Sequence, residues 1–352
     1  MLYGVKNPHG GDCYSAALRL DFSSNVNPLG TPPGVIAAIC DAAQRVAQYP
    51  DVYCRDLTAA IAAHENVPER YIFCGAGAAE LIYAYCDALR PVRVMELAPT
   101  FSEYGAAARH FGAQVLRHLL ERNSGFAVDD SLLTALADEK PDVLFLCTPN
   151  NPTGRTIARP LLEAVLTLCR KQKTRVFLDE CFLDFTDARS ASDLLAAHPN
   201  LLILKAFTKN YALAGARVGY CMGADSALLK RMGECVQPWN VSVLAQAAGA
   251  AALNETDWIQ RAKALLPQER AYLTDGLTAL GFTVFPSEAN YLLFTAPAGL
   301  DSALLREKIA IRSCCNYAGL GVGWYRIAVR LREENEALLA AMQRVMEDTT
   351  WR

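Results

Sequence analysis

Short apolar runs alternate with longer stretches whose apolar residues recur every three or four positions, from about residue 36 to residue 255. The runs are RVMELA (93–98), VLFLCT (143–148), RVFLDE (175–180), LLILKAF (201–207) and RVGYCMG (217–223). Between them lie GAAELIYAYCDAL (77–89) and RPLLEAVLTLCRKQ (159–172), with leucines at helical spacing. Strand-helix alternation of this kind predicts an α/β fold with a mainly parallel sheet covered on both faces. Ligands of such sheets collect at the carboxyl ends of the strands. Asn151, Asp179 and Lys209 all fall there.

After roughly residue 260 the texture changes. The helical run QRAKALLPQERAYLTDGLTAL leads into the strand candidates FTVFP, NYLLFTA and WYRIAVRL, and a last helix begins near 333. The expected organisation is an N-terminal arm over 1–30 packing with a small domain, a large domain over 31–258 and a small α+β domain over 259–352. Two domains also suit a chain of 352 residues.

Composition narrows the partners. The chain is 52% hydrophobic and 20% charged, which excludes a largely disordered polymer. A net charge of −3 supplies no electrostatic drive toward nucleic acid or an anionic membrane. No uninterrupted apolar stretch approaches about 18 residues, and the start MLYGVKNPHGGD lacks the layout of a secretory signal, so a cytoplasmic protein is expected. The twelve cysteines contain no C-x-x-C pair and the five histidines no H-x-x-x-H, so no metal site is expected. Most cysteines sit in apolar runs, where a thiol packs as a small hydrophobe.

Five segments carry candidate chemistry. FCGAGAAEL (73–81) sets glycines before a helix, whose free N–H groups and dipole can seat an anion, although a glycine turn there is also plain geometry. TPNNPTGR (148–155) follows a buried strand with two amides on a tight turn. FLDECFLDF (177–185) ends an apolar strand on Asp179, an acid that costs several kcal/mol to bury unless a donor or cation meets it. APTFSEYG (98–105) offers Phe101 just past a strand. Lys209 follows a buried strand, and Arg217 comes eight residues later. Two cations held close together call for an anion or a covalent partner.

In this order the segments resemble the fold-type I, pyridoxal-phosphate-dependent enzymes of the class I/II aminotransferase superfamily, over essentially the whole chain. The resemblance implies that Lys209, after Thr208, forms a Schiff base with pyridoxal phosphate and that Arg217 binds its phosphate. It implies further that Asp179 pairs with the pyridine nitrogen, Asn151 with the phenolic oxygen, and Gly77, Ala78 and Ala79 with the phosphate. Phe101 maps to the aromatic that stacks on the ring. QYPD (48–51) is similar to the segment whose tyrosine reaches a neighbouring subunit's phosphate, so Tyr49 implies a homodimer. The chemistry agrees: an aldehyde needs an amine of lowered pKa, and a buried carboxylate can hold the ring nitrogen's proton. In one respect the chain departs from the pattern. Many aminotransferases carry tyrosine three residues after the aspartate, and here Phe182 stands there.

HGGD (9–12), LDFSSNVNPLG (20–30), QPWNVSVLAQAA (237–248), ANYLLF (289–294), IRSCCNYAGLG (311–321) and YRIAVR (325–330) are similar to the cobalamin-pathway branch. That branch implies decarboxylation of L-threonine O-3-phosphate to (R)-1-amino-2-propanol phosphate, a small phosphorylated amino acid being the substrate. A related branch, histidinol-phosphate aminotransferase, shares most cofactor residues and stays open as the alternative. By resemblance Arg326 takes the substrate carboxylate, with a planar fork suited to it. Asn151 also borders the substrate, and His9, Asn27, Arg312 and Arg330 are candidates for its distal phosphate. A non-catalytic regulator on the same fold would need an added DNA-binding domain, for which the strand-like run near residue 20 leaves no room.

Overall fold

The computed structural model describes residues 8–348. Its larger sheet has seven strands, in spatial order Ile72–Gly75, Gly219–Gly223, Leu201–Ala206, Arg175–Asp179, Val143–Cys147, Arg93–Ala98 and Gln114–Leu119. Gly219–Gly223 runs against both of its neighbours, and the pairs from Leu201–Ala206 onward are parallel. Helices cover both faces, so the inner strands are buried on every residue but the leading Arg93 and Arg175 and read as continuous apolar runs. The five apolar runs read from the sequence are the five inner strands of this sheet.

Each covering helix is explained by a stripe of apolar positions. Ala78–Leu89 buries Leu81, Ile82, Tyr85 and Cys86 against the sheet. A fully buried side chain of the Leu or Ile kind contributes about 1.5–3 kcal/mol. Gly77 starts this helix with φ +90°, and Arg90 ends it in the left-handed region. A second, antiparallel sheet is ordered Arg312–Ser313, Trp324–Ala328, Tyr291–Thr295 and Thr283–Val284. The 24-residue helix Thr256–Ala279 and the terminal helix Arg332–Glu347 pack beside it, tied by buried Glu269 to Arg332 and Asn335. The arm joins this half of the molecule: Leu20–Asp21 pairs in parallel with Ile309–Ala310, and Phe22 accepts from Ala328 N.

One buried ionic cluster lies beneath the carboxyl ends of the strands. Lys205 Nζ donates to both Glu65 oxygens at 2.8 and 3.0 Å, and Tyr220 Oη donates to Glu65 at 2.6 Å. Asp184 lies 3.8 Å from the same amine. Burial alone would raise the Glu65 carboxyl, but Lys205 and Tyr220 hold it below the ordinary range. Removing one partner of such a pair strands the other charge in the interior. Lys205→Met should therefore lower the unfolding free energy by about 3–5 kcal/mol in denaturant titration, and Lys205→Met with Glu65→Gln should lose less than the single variant. Equal losses would show that the pair contributes no coupling.

Candidate active site

The carboxyl ends of three parallel strands open into a cavity of about 240 Å³. Its wall includes Lys209, Asp179, Asn151, Phe101, Ala78, Ala79, Thr208 and Arg217 from the large sheet's loops, and Arg312 and Arg326 from the small sheet. Residues far apart in sequence meet here because each loop follows a strand of one sheet, and because the strand Trp324–Ala328 delivers Arg326 from the other side.

Lys209 stands one turn past the strand Leu201–Ala206, half-buried, with its amine facing the cavity. Its backbone carbonyl accepts from Asn27 N at 2.8 Å, which fixes the turn. Desolvation by the surrounding wall, then the positive charges of Arg326 and Arg217, lower its amine to about 8. The thiol of Cys181 and the carboxylate of Asp179 oppose that shift. The Phe182 ring lies 5.9 Å from the amine and packs edge-on against Tyr291.

Asp179 is 5% exposed at the end of its strand. Burial raises its carboxyl, while the Cys181 thiol, Tyr104 Oη, donating at 2.6 Å, and Cys181 N, donating at 2.9 Å, favour the charged form. Arg326 is 6% exposed; its Nη1 donates to Asn151 Oδ1 at 2.5 Å and its Nη2 to the Ser23 carbonyl at 2.8 Å. The remaining Arg326 nitrogen, Nε, is buried with no partner among the described residues. Arg217 sits with φ 58° and crowds Gly77 so closely that a Cβ there would lie 2.7 Å from its Nη2. Gly77 is required at that point, both for its φ and for the guanidinium's approach.

At the mouth, His9 bonds Glu103 at 2.7 Å and its ring lies 5.6 Å from Phe101. Arg312 Nη2 donates to Pro8 O and to Asn316 Oδ1.

Four residues named from sequence do not line the cavity: Gly77, which backs Arg217, and three others that are engaged elsewhere. Asn27 spends its amide on Asn210 O and Leu29 N, so it braces the Lys209 turn instead of facing a substrate. Arg330 pairs with Glu334 four residues on, at the start of the terminal helix. Tyr49 is 79% exposed beside Trp239, at a ring distance of 4.6 Å.

Sequence reasoning also missed residues. Asn25 is 2% exposed, lines the cavity and has neither amide atom paired among the described residues. The run SSNVNP offers two asparagines, and only the path of the arm past Phe22 decides which faces inward. Tyr104 lay one helical turn from Phe101, a readable signal, and Tyr317 lay inside IRSCCNYAGLG.

The polar groups lining the cavity fit pyridoxal phosphate. An unengaged amine suits its aldehyde, the carboxylate of Asp179 its ring nitrogen, and Asn151 its phenolic oxygen. Arg217, Thr208 and the helix start at Ala78 and Ala79 suit its phosphate. Borohydride reduction of the cofactor-loaded protein, followed by digestion and mass spectrometry, should place the adduct on Lys209. An adduct on Lys205 or any other lysine would overturn the assignment.

The family model for aminotransferase class I and II matches residues 19–342. Threonine-phosphate decarboxylase of Salmonella typhimurium is 39% identical over 351 residues, covering 96% of either chain. A histidinol-phosphate aminotransferase of Anaeromyxobacter sp. is 35% identical, over 95% of this chain and 92% of its own. Among solved structures, the histidinol-phosphate aminotransferase of Clostridium acetobutylicum superposes with a TM-score of 0.87 at 29% identity, over 93% of this chain and 99% of that one. The matched span holds both sheets and every cavity residue past the arm's His9 and Gly10. The chain belongs to the aminotransferase class I and II family, and pyridoxal phosphate is its cofactor.

Proposed function

We propose that the protein decarboxylates L-threonine O-3-phosphate to (R)-1-amino-2-propanol phosphate in cobalamin formation. The observation that carries the reading is a cavity with two cationic ends around one amine. Arg326 lies deep beside Lys209, and Arg312 with His9 stands at the mouth. A substrate with a carboxylate at one end, a phosphate at the other and an amine between would satisfy both ends. The identity to the Salmonella decarboxylase supports the same reading.

Bound in the cavity, pyridoxal phosphate supplies a ring that accepts electrons from whichever bond at the substrate's α-carbon stands perpendicular to it. The protein's own groups decide which bond that is. Arg326 is tethered by Asn151 and Ser23, so its fork meets a carboxylate from a fixed direction. Asn25, with both amide atoms unpaired among the described residues, can hold a second substrate oxygen. A misorientation costing about 3 kcal/mol would favour one bond over another by roughly a hundredfold. Phe182, where a hydroxyl would otherwise stand, leaves Asn151 to serve the phenolic oxygen. Lys209, lowered to about 8, exchanges protons near neutrality and can deliver one to the carbon that carbon dioxide leaves.

We further infer that the working unit is a two-fold dimer. Val46, Tyr49, Val52 and Tyr53, in the segment before the helix Arg55–Glu65, are exposed apolar side chains, as is Trp239, which contacts Tyr49. A second copy covering them would let Tyr49 reach the partner's phosphate site. The division into an arm (1–30), a large unit (31–258) and a small unit (259–352) belongs to the same proposal. No helix among the described residues is long and apolar enough to cross a membrane.

Given L-threonine O-3-phosphate, the enzyme should release carbon dioxide with no 2-oxo acid present. Conversion of histidinol phosphate that depends on 2-oxoglutarate, without carbon dioxide release from threonine phosphate, would establish the aminotransferase alternative instead. For assembly, Tyr49→Phe should weaken cofactor retention by about 1.5 kcal/mol, the scale of one hydrogen bond to a charged group. A fully active monomer in sedimentation at assay concentration would contradict the dimer.

A further inference from the structure

Asp179 does not hold its own orientation. It is the last residue of its strand, and Cys181 N at 2.9 Å on Oδ1 and the Tyr104 hydroxyl at 2.6 Å on Oδ2 fix its carboxylate, with the Cys181 thiol also bonded to it. The first is backbone and comes with the chain's turn. The second comes from a side chain 75 residues earlier, on the helix Glu103–His110.

Tyr104 has no freedom to aim elsewhere. It is fully buried, with its ring stacked on Phe145 at 5.4 Å and 10° and edge-on to Phe101 at 5.6 Å and 80°. Burial, then the neighbouring Asp179 charge, push its phenol well above the ordinary range, so it stays a donor at every working pH. The other titratable groups around Asp179 are Lys209 and the thiols of Cys147, Cys181 and Cys221, with Tyr291 beyond them. Burial pushes all three thiols up, so they stay neutral. Tyr104 is therefore the side-chain hydroxyl that favours the ionised carboxylate. The same short segment touches two more parts of the site: Phe101 lines the cavity, and Glu103 holds His9 of the arm.

We propose that Tyr104 is a positioning residue for the reaction: its hydroxyl keeps the Asp179 carboxylate ionised and oriented for the cofactor's ring nitrogen, and its ring sets the attitude of Phe101. The inference rests on the pyridoxal-phosphate assignment and is independent of which substrate is right. Its readouts are carboxyl titration and cofactor affinity, so failure of the decarboxylase reading would leave them unmoved.

Tyr104→Phe keeps the ring stack and removes the hydroxyl. In the cofactor-free protein, the carboxyl ¹³C signal of Asp179 should titrate at higher pH than in the parent. The cofactor's dissociation constant should rise by about tenfold, and kcat should fall by a similar factor with KM little changed. In an Asp179→Asn background the same substitution should leave cofactor affinity within about twofold. An equal loss in both backgrounds would show a merely structural role and overturn the proposal, as would an unchanged Asp179 titration. Should Tyr104→Phe fail to fold, 3-fluorotyrosine at position 104, a stronger donor of nearly the same shape, should move the Asp179 titration downward. No movement there would also overturn it.

Discussion

The site depends on a desolvated amine in a cavity that two guanidinium groups also line. Lys209, Arg326 and Arg217 border one cavity, where desolvation by the wall and then the repulsion of the two guanidinium charges disfavour the protonated amine. That repulsion has two outlets. The amine gives up its proton readily, and an anion entering the cavity is bound strongly. The rest of the local structure keeps the three cations from relaxing apart. Asn151 and the Ser23 carbonyl tether Arg326, Asn27 braces the Lys209 turn, and Gly77 lets Arg217 come close.

The arm completes this arrangement. Its Leu20–Asp21 strand pairs with Ile309–Ala310, and Phe22 accepts from Ala328, so Ser23 arrives in register with the strand that carries Arg326. Upstream, Pro8 O accepts from Arg312 and His9 bonds Glu103. The arm thus spans from one sheet's strand to the other sheet's helix, and the cavity's mouth lies beneath it.

Much of the large sheet was legible because its inner strands are continuous apolar runs, the mark of burial on both faces. The edge strand Gln114–Leu119 was not: none of its residues is fully buried, and it carries Arg117 and His118. Ile72–Gly75 was hidden by the glycines that follow it. In the site, the residues at strand ends were readable by type and order, namely Lys209, Asp179, Asn151 and Arg217. Asn27 against Asn25 was not, since the choice lies in the arm's path across a distant strand. Neighbouring acids show the same limit. Asp179 faces the cavity, while Glu180 turns away to Ser190 and the Ala191 amide, where burial pushes it up to about 7. Sequence shows two acids in a row; where the strand ends, one faces the cavity and the other bonds Ser190 and the Ala191 amide.

The most direct measurement is the titration of the Lys209 amine in the cofactor-free protein, by trace acetylation across pH with mass-spectrometric readout. A lysine lowered by its wall and by Arg326 and Arg217 is protonated below its midpoint and reactive above it, so labelling of Lys209 should rise through about pH 8. Arg326→Gln, which removes one of the two charges, should move that midpoint upward. A midpoint near the ordinary lysine value of about 10.4, unmoved by Arg326→Gln, would contradict the claim that crowded cations prepare this amine.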